Sequence, residues 1–119
     1  MIIEKPNLVN KTYDVIIVGA GPAGITLANK LEEKKIKTAL IEAGEENFSS
    51  ESQEYYKGEN VGEFPQETDV SRLRMFGGTT GHWGGSSRPL DSYDFKLWPI
   101  NKSTLDPYVT EASKIIEVK

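Results

Sequence analysis

The sequence predicts an α/β fold, a Rossmann-like strand–helix–strand unit with an incomplete parallel sheet. Residues 15–18 read VIIV, a continuous apolar and β-branched run that is typical of a strand buried on both faces of a parallel sheet. Glycines spaced G-x-G-x-x-G follow this run at once, and a second short apolar run, TALI, occupies residues 38–41. Two strands cannot complete a parallel sheet, so we expect the 119 residues to be an N-terminal fragment of a larger protein or one piece of a split protein.

The segment between the two apolar runs has the period of an amphipathic helix. Lys34 and Lys35 fall in its last turn, where positive charge interacts favourably with the helix dipole. The apolar face of this predicted helix consists of Ala23, Leu27, Ala28 and Leu31.

Three regions organise the chain around this unit. Residues 1–12 form a polar N-terminal arm, which we expect to be frayed, and residues 13–119 form a partial domain. Within that domain, residues 44–71 carry eight acids and one lysine without a clean hydrophobic period. We expect an acidic loop there, either solvated or a functional excursion such as a lid.

The C-terminal part of the domain contains a glycine-rich segment and a predicted helix. Residues 72–95 are too rich in glycine for a helix interior. The helix that follows would be capped by Ser103 or Thr104. Its expected apolar positions are Leu105, Tyr108, Val109, Ala112, Ile115 and Ile116.

Composition excludes several classes of function. Fourteen Lys and Arg against eighteen Asp and Glu give a net charge of −4 without a basic cluster, so we expect no nucleic-acid partner. No span of about 20 apolar residues is present, so we expect no membrane partner. The N-terminus lacks a basic start followed by a long apolar region, which favours a cytoplasmic location. Without cysteine, disulfides and thiolate metal sites are excluded from this segment, and we expect no metal site.

The first glycine motif has the pattern of a dinucleotide-binding turn. Gly19 would turn the chain sharply, Gly21 would let a pyrophosphate approach the backbone, and Gly24 would let the helix pack close to the strand. The phosphates would meet the helix N-terminus at Pro22 and Ala23, where unpaired N–H groups attract negative charge. The alternative is a glycine-rich turn that serves packing alone.

An acid stands where such folds hold a ribose. Glu42 ends the second predicted strand, and Ala43 lies beside it at the expected cofactor site. The Glu42 carboxylate would repel a 2′-phosphate, which makes NADP the least favoured dinucleotide. FAD and NAD remain equally favoured. The alternative is an ordinary surface carboxylate.

A second glycine-rich stretch, RMFGGTTGHWGG, occupies residues 74–85. Its glycine pairs permit positive φ and close backbone approach, which a planar and partly anionic ligand would use. A flexible linker would also be rich in glycine. Three apolar residues favour the ligand-binding interpretation over the linker: Met75, Phe76 and Trp83.

With GAGPAG and EAG at 42–44, this stretch makes residues 13–116 resemble the N-terminal part of the glucose-methanol-choline oxidoreductases. The resemblance implies that FAD is the cofactor, that the chain is a fragment of a larger flavoprotein, and that the first motif and Glu42 bind the ADP half. It places four residues along the flavin side: Gly77, Gly78, Thr79 and Thr80. Arg74 and Arg88 are candidate phosphate partners, with exposed surface positions as the alternative.

Two features depart from the usual pattern of that family. Phe76 replaces a small aliphatic residue, and the His82–Trp83 pair resembles the pyranose oxidase and sugar or polyol dehydrogenase branch. The resemblance to that branch implies that His82, with Trp83 beside it along the cofactor, forms a covalent link to the flavin 8-methyl group. The alternative for His82 is a hydrogen bond to a neighbouring loop. Trp83 and Trp98 are expected to be core residues rather than substrate platforms.

The resemblance implies an oxidoreductase that transfers hydride from the CH–OH group of an alcohol, sugar or polyol to FAD. In that family the catalytic base is a histidine near the C-terminus, and His82 is the only histidine here, so we expect no catalytic residue in this segment. The small-molecule substrate would be bound by the missing C-terminal part, and the segment alone would be inactive. The alternatives are the Rossmann domain of a NAD-dependent dehydrogenase and a non-catalytic nucleotide-binding subunit.

Overall fold

The computed structural model describes residues 11–63 and 66–117. Strand β1 (Val15–Val18) and strand β2 (Thr38–Ile41) form a two-stranded parallel sheet, and helix α1 (Pro22–Glu33) connects them. The register places Val15 opposite Thr38 and Val18 opposite Ile41. The predicted α/β strand–helix–strand unit is therefore confirmed. The predicted N-terminal arm falls on residues 1–12, of which only Lys11 and Thr12 lie within the described residues.

Helix α1 starts at a residue whose backbone suits that position and is closed by a left-handed turn. Pro22 opens the helix, where a missing N–H costs nothing because the first N–H groups have no intrahelical acceptor. Beyond its last residue, Lys35 takes a left-handed φ of 58° and donates its N–H to the Glu32 carbonyl. This closure resembles the left-handed C-terminal cap that glycine usually provides, so Lys35 occupies it at some conformational cost.

Helix α1 covers one face of the sheet. Ile17 is buried, whereas Ile16 and Val18, which point to the other face, are 60% and 84% exposed. Side chains alternate along a strand and α1 packs on one side, so the second face stays exposed, as expected for two strands that cannot complete a parallel sheet. The helix face differs from the prediction: Ala23 and Leu27 are exposed, while Ala28 and Leu31 are half-buried as expected.

The acidic segment 44–71 contains regular structure. Helix α2 (Ser50–Gln53) continues into a 3₁₀ turn, Glu54–Tyr56, and helix α3 is Thr68–Ser71. The expectation of a structureless loop is wrong for these residues. Sequence periodicity missed them because each is a single turn held by polar contacts; for example, the Ser49 hydroxyl accepts a hydrogen bond from the Ser52 N–H at 3.3 Å.

Gln53 is the centre of those polar contacts. Its side chain is buried, and Nε2 donates to the carbonyls of Asp69 and Arg72, each at 2.6 Å. Its Oε1 accepts from the Arg74 N–H at 3.0 Å. One amide thus satisfies three backbone groups and ties α2 to the chain that leads into the second glycine-rich stretch.

The described residues separate into two compact units, which divide between His82 and Trp83. The second unit contains a 3₁₀ turn, Asp94–Leu97, and helix α4 (Lys102–Ile115). The predicted C-terminal helix is confirmed, but its predicted cap is wrong. The N-cap is Asn101, which makes no side-chain capping bond, and the two predicted caps lie in the first turn. None of the described helices is both long enough and apolar enough to cross a bilayer.

Candidate functional site

The turn between β1 and α1 requires glycine at two of its three motif positions. Gly19 has a φ of 101°, and its N–H donates to the Ile41 carbonyl at 2.7 Å, which fastens the turn to the end of β2. A Cβ on Gly24 would lie 2.0 Å from the Gly19 carbonyl oxygen. Backbone conformation therefore explains Gly19, and close packing of helix against turn explains Gly24.

The remaining motif glycine has no such explanation within the described chain. Gly21 has an ordinary φ of −77°, and a Cβ built on it would meet no described atom within 4 Å. The space beside Gly21 lies at the N-terminus of α1, and Ile25 is the first residue of this helix shown to donate to a preceding carbonyl, that of Gly21, at 3.0 Å. The N–H groups of the first turn, including that of Ala23, are positioned to hold an anion there, while Pro22 contributes no donor.

Glu42 follows β2 and reaches back to this turn. Its Oε2 accepts from the Ala20 N–H at 2.8 Å, and its Oε1 accepts from the Gly44 N–H at 2.7 Å. The side chain is half-buried, so Glu42 is not the free surface carboxylate of the alternative interpretation. An ionised carboxylate offers about four lone-pair sites, which leaves acceptor capacity for the two hydroxyls of a ribose. Ala43 beside it is exposed.

The second glycine-rich stretch lies directly against the first motif. Gly77 donates its N–H to the Ala20 carbonyl at 2.8 Å, and a Cβ on Gly78 would lie 3.4 Å from the Gly21 Cα. Gly77 and Gly78 have positive φ values of 86° and 60°. Sequence reasoning expected both segments to line one cofactor, and the structure brings them into contact.

Gly44 makes a further close contact between these segments. A Cβ at this position would lie 2.5 Å from both the carbonyl carbon and the carbonyl oxygen of Arg74. A short parallel bridge joins Glu45 to Met75, and the Phe76 N–H donates to the Glu45 carbonyl at 2.8 Å. Gly44 was not predicted as a site residue. Its only sequence signal was its position directly after the acid and Ala43.

Residues Gly78–His82 form a 3₁₀ turn, so a short helical turn does exist in the segment judged too glycine-rich for a helix interior. The Thr80 hydroxyl donates to the Gly77 carbonyl at 2.5 Å, and the Thr79 hydroxyl accepts from the Leu73 N–H at 3.3 Å. His82 ends the turn with an exposed side chain. The threonines therefore hold the turn through backbone contacts, and the imidazole remains accessible.

The structure shows how exposed the two tryptophans are and which partners Arg74 and Arg88 have. Trp83 and Trp98 are both 49% exposed, so the expectation of core positions is wrong for the described chain. The Arg74 guanidinium donates to the Ser52 hydroxyl at 2.5 Å and lies 4.9 Å from the centre of the Tyr55 ring. Arg88 pairs with Asp91. Both guanidiniums thus have protein partners in the structure.

Comparison with known proteins gives a family and several relatives that match over short segments. Residues 13–106 match the sequence profile of the family described as pyridine nucleotide-disulphide oxidoreductase. A glucose-methanol-choline family oxidoreductase, mfmG, of Annulohypoxylon moriforme is 50% identical over 36 residues, which are 29% of this chain and 6% of that protein. An oxygen-dependent choline dehydrogenase of Staphylococcus aureus is 48% identical over 40 residues, 33% of this chain and 7% of that protein.

A 3-(3-hydroxy-phenyl)propionate/3-hydroxycinnamic acid hydroxylase of Mycobacterium avium is 45% identical over 42 residues, 35% of this chain and 7% of that protein. The matched part of the chain thus spans less than a tenth of the length of each of these relatives. No solved structure matches the chain. Because the family match extends over most of the 119 residues and agrees with the strand–turn–helix–strand geometry, this chain belongs to the pyridine nucleotide-disulphide oxidoreductase family.

Proposed function

We propose that this chain binds the ADP half of FAD within an oxidoreductase that acts on CH–OH groups of alcohols, sugars or polyols. The observation that carries the proposal is Gly21, which neither backbone conformation nor packing of the described chain requires. A residue with a side chain would be tolerated there unless something else must occupy the space. A pyrophosphate at the N-terminus of α1 is such an occupant.

The residues around Gly21 suit that group. The N–H groups of Ala23 and Gly24 would hold the pyrophosphate, and the carboxylate of Glu42 would accept hydrogen bonds from the ribose diol. A ligand on this turn would also meet Gly77 and Gly78, because they contact the turn directly. Bound FAD would supply the hydride acceptor, while the chain described here binds and orients it.

The choice of FAD over NAD rests on the second glycine-rich stretch. Residues 74–85 resemble the glucose-methanol-choline oxidoreductases, and two of the partial relatives carry names from that group. An exposed imidazole at His82 is consistent with a covalent bond to the flavin 8-methyl group, as in the pyranose oxidase-like branch that this segment resembles. The substrate pocket and the catalytic base would come from residues outside these 119.

A second candidate is a NAD-binding domain, which the pyridine nucleotide-disulphide oxidoreductase description of the family favours. The turn, the helix N-terminus and Glu42 would serve NAD equally well. A NAD site would give no role to the contact between Gly77–Gly78 and the turn.

Purification of the full-length protein that contains this chain tests the proposal. We expect bound FAD, seen as flavin absorbance and identified by mass spectrometry after release. Gly21→Val should purify without flavin, and Gly58→Val serves as the control, because a Cβ on Gly58 makes only an ordinary contact, 4.0 Å from the Thr68 Oγ1. Wild-type protein that is colourless after incubation with FAD yet binds NAD would reject FAD in favour of the second candidate.

A further inference from the structure

The carboxylate of Glu42 lies at the meeting point of two chain segments. One oxygen accepts from Ala20, in the turn after β1, and the other accepts from Gly44, at the start of the acidic segment. The residues that donate these two hydrogen bonds are far apart in sequence. Glu42 therefore joins the first glycine motif to the segment that packs against the second.

Ala20 depends on this carboxylate for its hydrogen bonding. The residue is completely buried, its carbonyl accepts from Gly77, and its N–H donates to Glu42. Without the carboxylate, a buried N–H would lose its acceptor, which is costly unless the turn moves to find water. The conformation of the turn is thus coupled to Glu42 before any ligand is present.

We propose that Glu42 is a positioning residue that holds the phosphate-binding turn in its ligand-ready conformation, in addition to receiving the ribose. The ligand-binding part of this inference rests on the proposed function. A ribose contact alone would make Glu42 matter only for nucleotides that carry the ribose hydroxyls. A residue that also positions the turn matters for the phosphates as well, so its loss weakens binding of a nucleotide that lacks those hydroxyls.

Hydrogen exchange in the ligand-free full-length protein tests the positioning directly. We expect the Ala20 amide to exchange about tenfold faster in Glu42→Gln than in wild type, since the glutamine loses the charge and one of the two acceptors. The amides of β1 in the same molecule report global opening. Glu46→Gln is the control, because it removes the same charge from an exposed side chain nearby. Equal Ala20 exchange in wild type and Glu42→Gln, relative to β1, would overturn the proposal.

A ligand cycle with ADP and 2′,3′-dideoxy-ADP separates the two roles of Glu42. We expect Glu42→Gln to weaken binding of both nucleotides, by about tenfold or more for the dideoxy compound. If dideoxy-ADP binds equally well to wild type and variant while ADP binding falls, Glu42 acts through the ribose alone and the positioning role is rejected. Wild-type protein that binds neither nucleotide would reject the proposed function, and the exchange measurement would then decide the positioning role by itself.

Discussion

Replacement of Gly21 by valine should separate ligand binding from folding. Gly21 is extended, with φ −77° and ψ −179°, a conformation that valine adopts readily. No described atom lies within 4 Å of the Cβ that the substitution adds. The added Cβ therefore meets no described atom, and the valine side chain would compete for the space in which the pyrophosphate is proposed to lie.

The substitution should change the free energy of FAD binding much more than the free energy of unfolding. Valine is a poorer N-cap than glycine, which destabilises the folded protein by about 1 kcal/mol. Valine also lowers the conformational entropy of the unfolded chain, which stabilises the folded protein by about 0.4–1 kcal/mol. The free energy of unfolding of the ligand-free protein should thus change by less than about 1 kcal/mol. Loss of two charge-assisted hydrogen bonds, from the N–H groups of Ala23 and Gly24, would cost about 3–6 kcal/mol of binding free energy. That corresponds to at least about a hundredfold increase in Kd for FAD.

Two measurements on the full-length protein check this prediction. Urea unfolding of the ligand-free protein gives the stability, and titration of the same protein with FAD gives Kd. Gly58→Val again controls for the added side chain. A variant that keeps wild-type affinity would show that nothing needs the space beside Gly21. A variant that loses several kcal/mol of stability without ligand would show that Gly21 has a packing role, contrary to the geometry.

Three further predictions concern other positions. Gly24→Ala should destabilise even the ligand-free protein by about 1–3 kcal/mol, because its Cβ would lie 2.0 Å from the Gly19 carbonyl oxygen; an unchanged unfolding midpoint in urea would contradict this. Gln53→Ala should cost about 2–3 kcal/mol in thermal unfolding by leaving backbone groups without partners, whereas the exposed control Glu51→Ala should change little. For His82, acid precipitation followed by mass spectrometry should place flavin on the tryptic peptide of residues 75–96, and His82→Ala should release it; flavin found wholly in the supernatant of the wild type would reject the covalent link.

The positions of β1, α1 and β2 could be predicted from the sequence because their signals are local. A continuous β-branched run, a glycine motif and a period of 3.6 residues each report on neighbouring positions, and the strands and helix of the structure agree with them. The roles of Gly19 and Gly24 could also be predicted from the sequence, since the motif itself requires a positive φ at the first glycine and a close helix contact at the third.

The remainder of the site depended on contacts between residues far apart in sequence. That the Gln53 amide would order the acidic segment could not be read from periodicity, because three backbone groups from separate turns converge on one side chain. The exposure of Ile16 and Val18 likewise followed from α1 packing on only one face of the sheet.

Glu42 shows most clearly which properties the sequence determines and which the tertiary structure determines. The sequence by itself determined that an acid ends β2, at the distance from the glycines where a ribose would be held. Only the tertiary structure decided that both carboxylate oxygens would accept backbone N–H groups, and that Gly77 would bond to the residue that Glu42 holds. The physical reason is that hydrophobic patterning encodes where strands and helices lie along the chain, whereas a hydrogen bond requires two groups to be brought within about 3 Å by the folding of the whole unit.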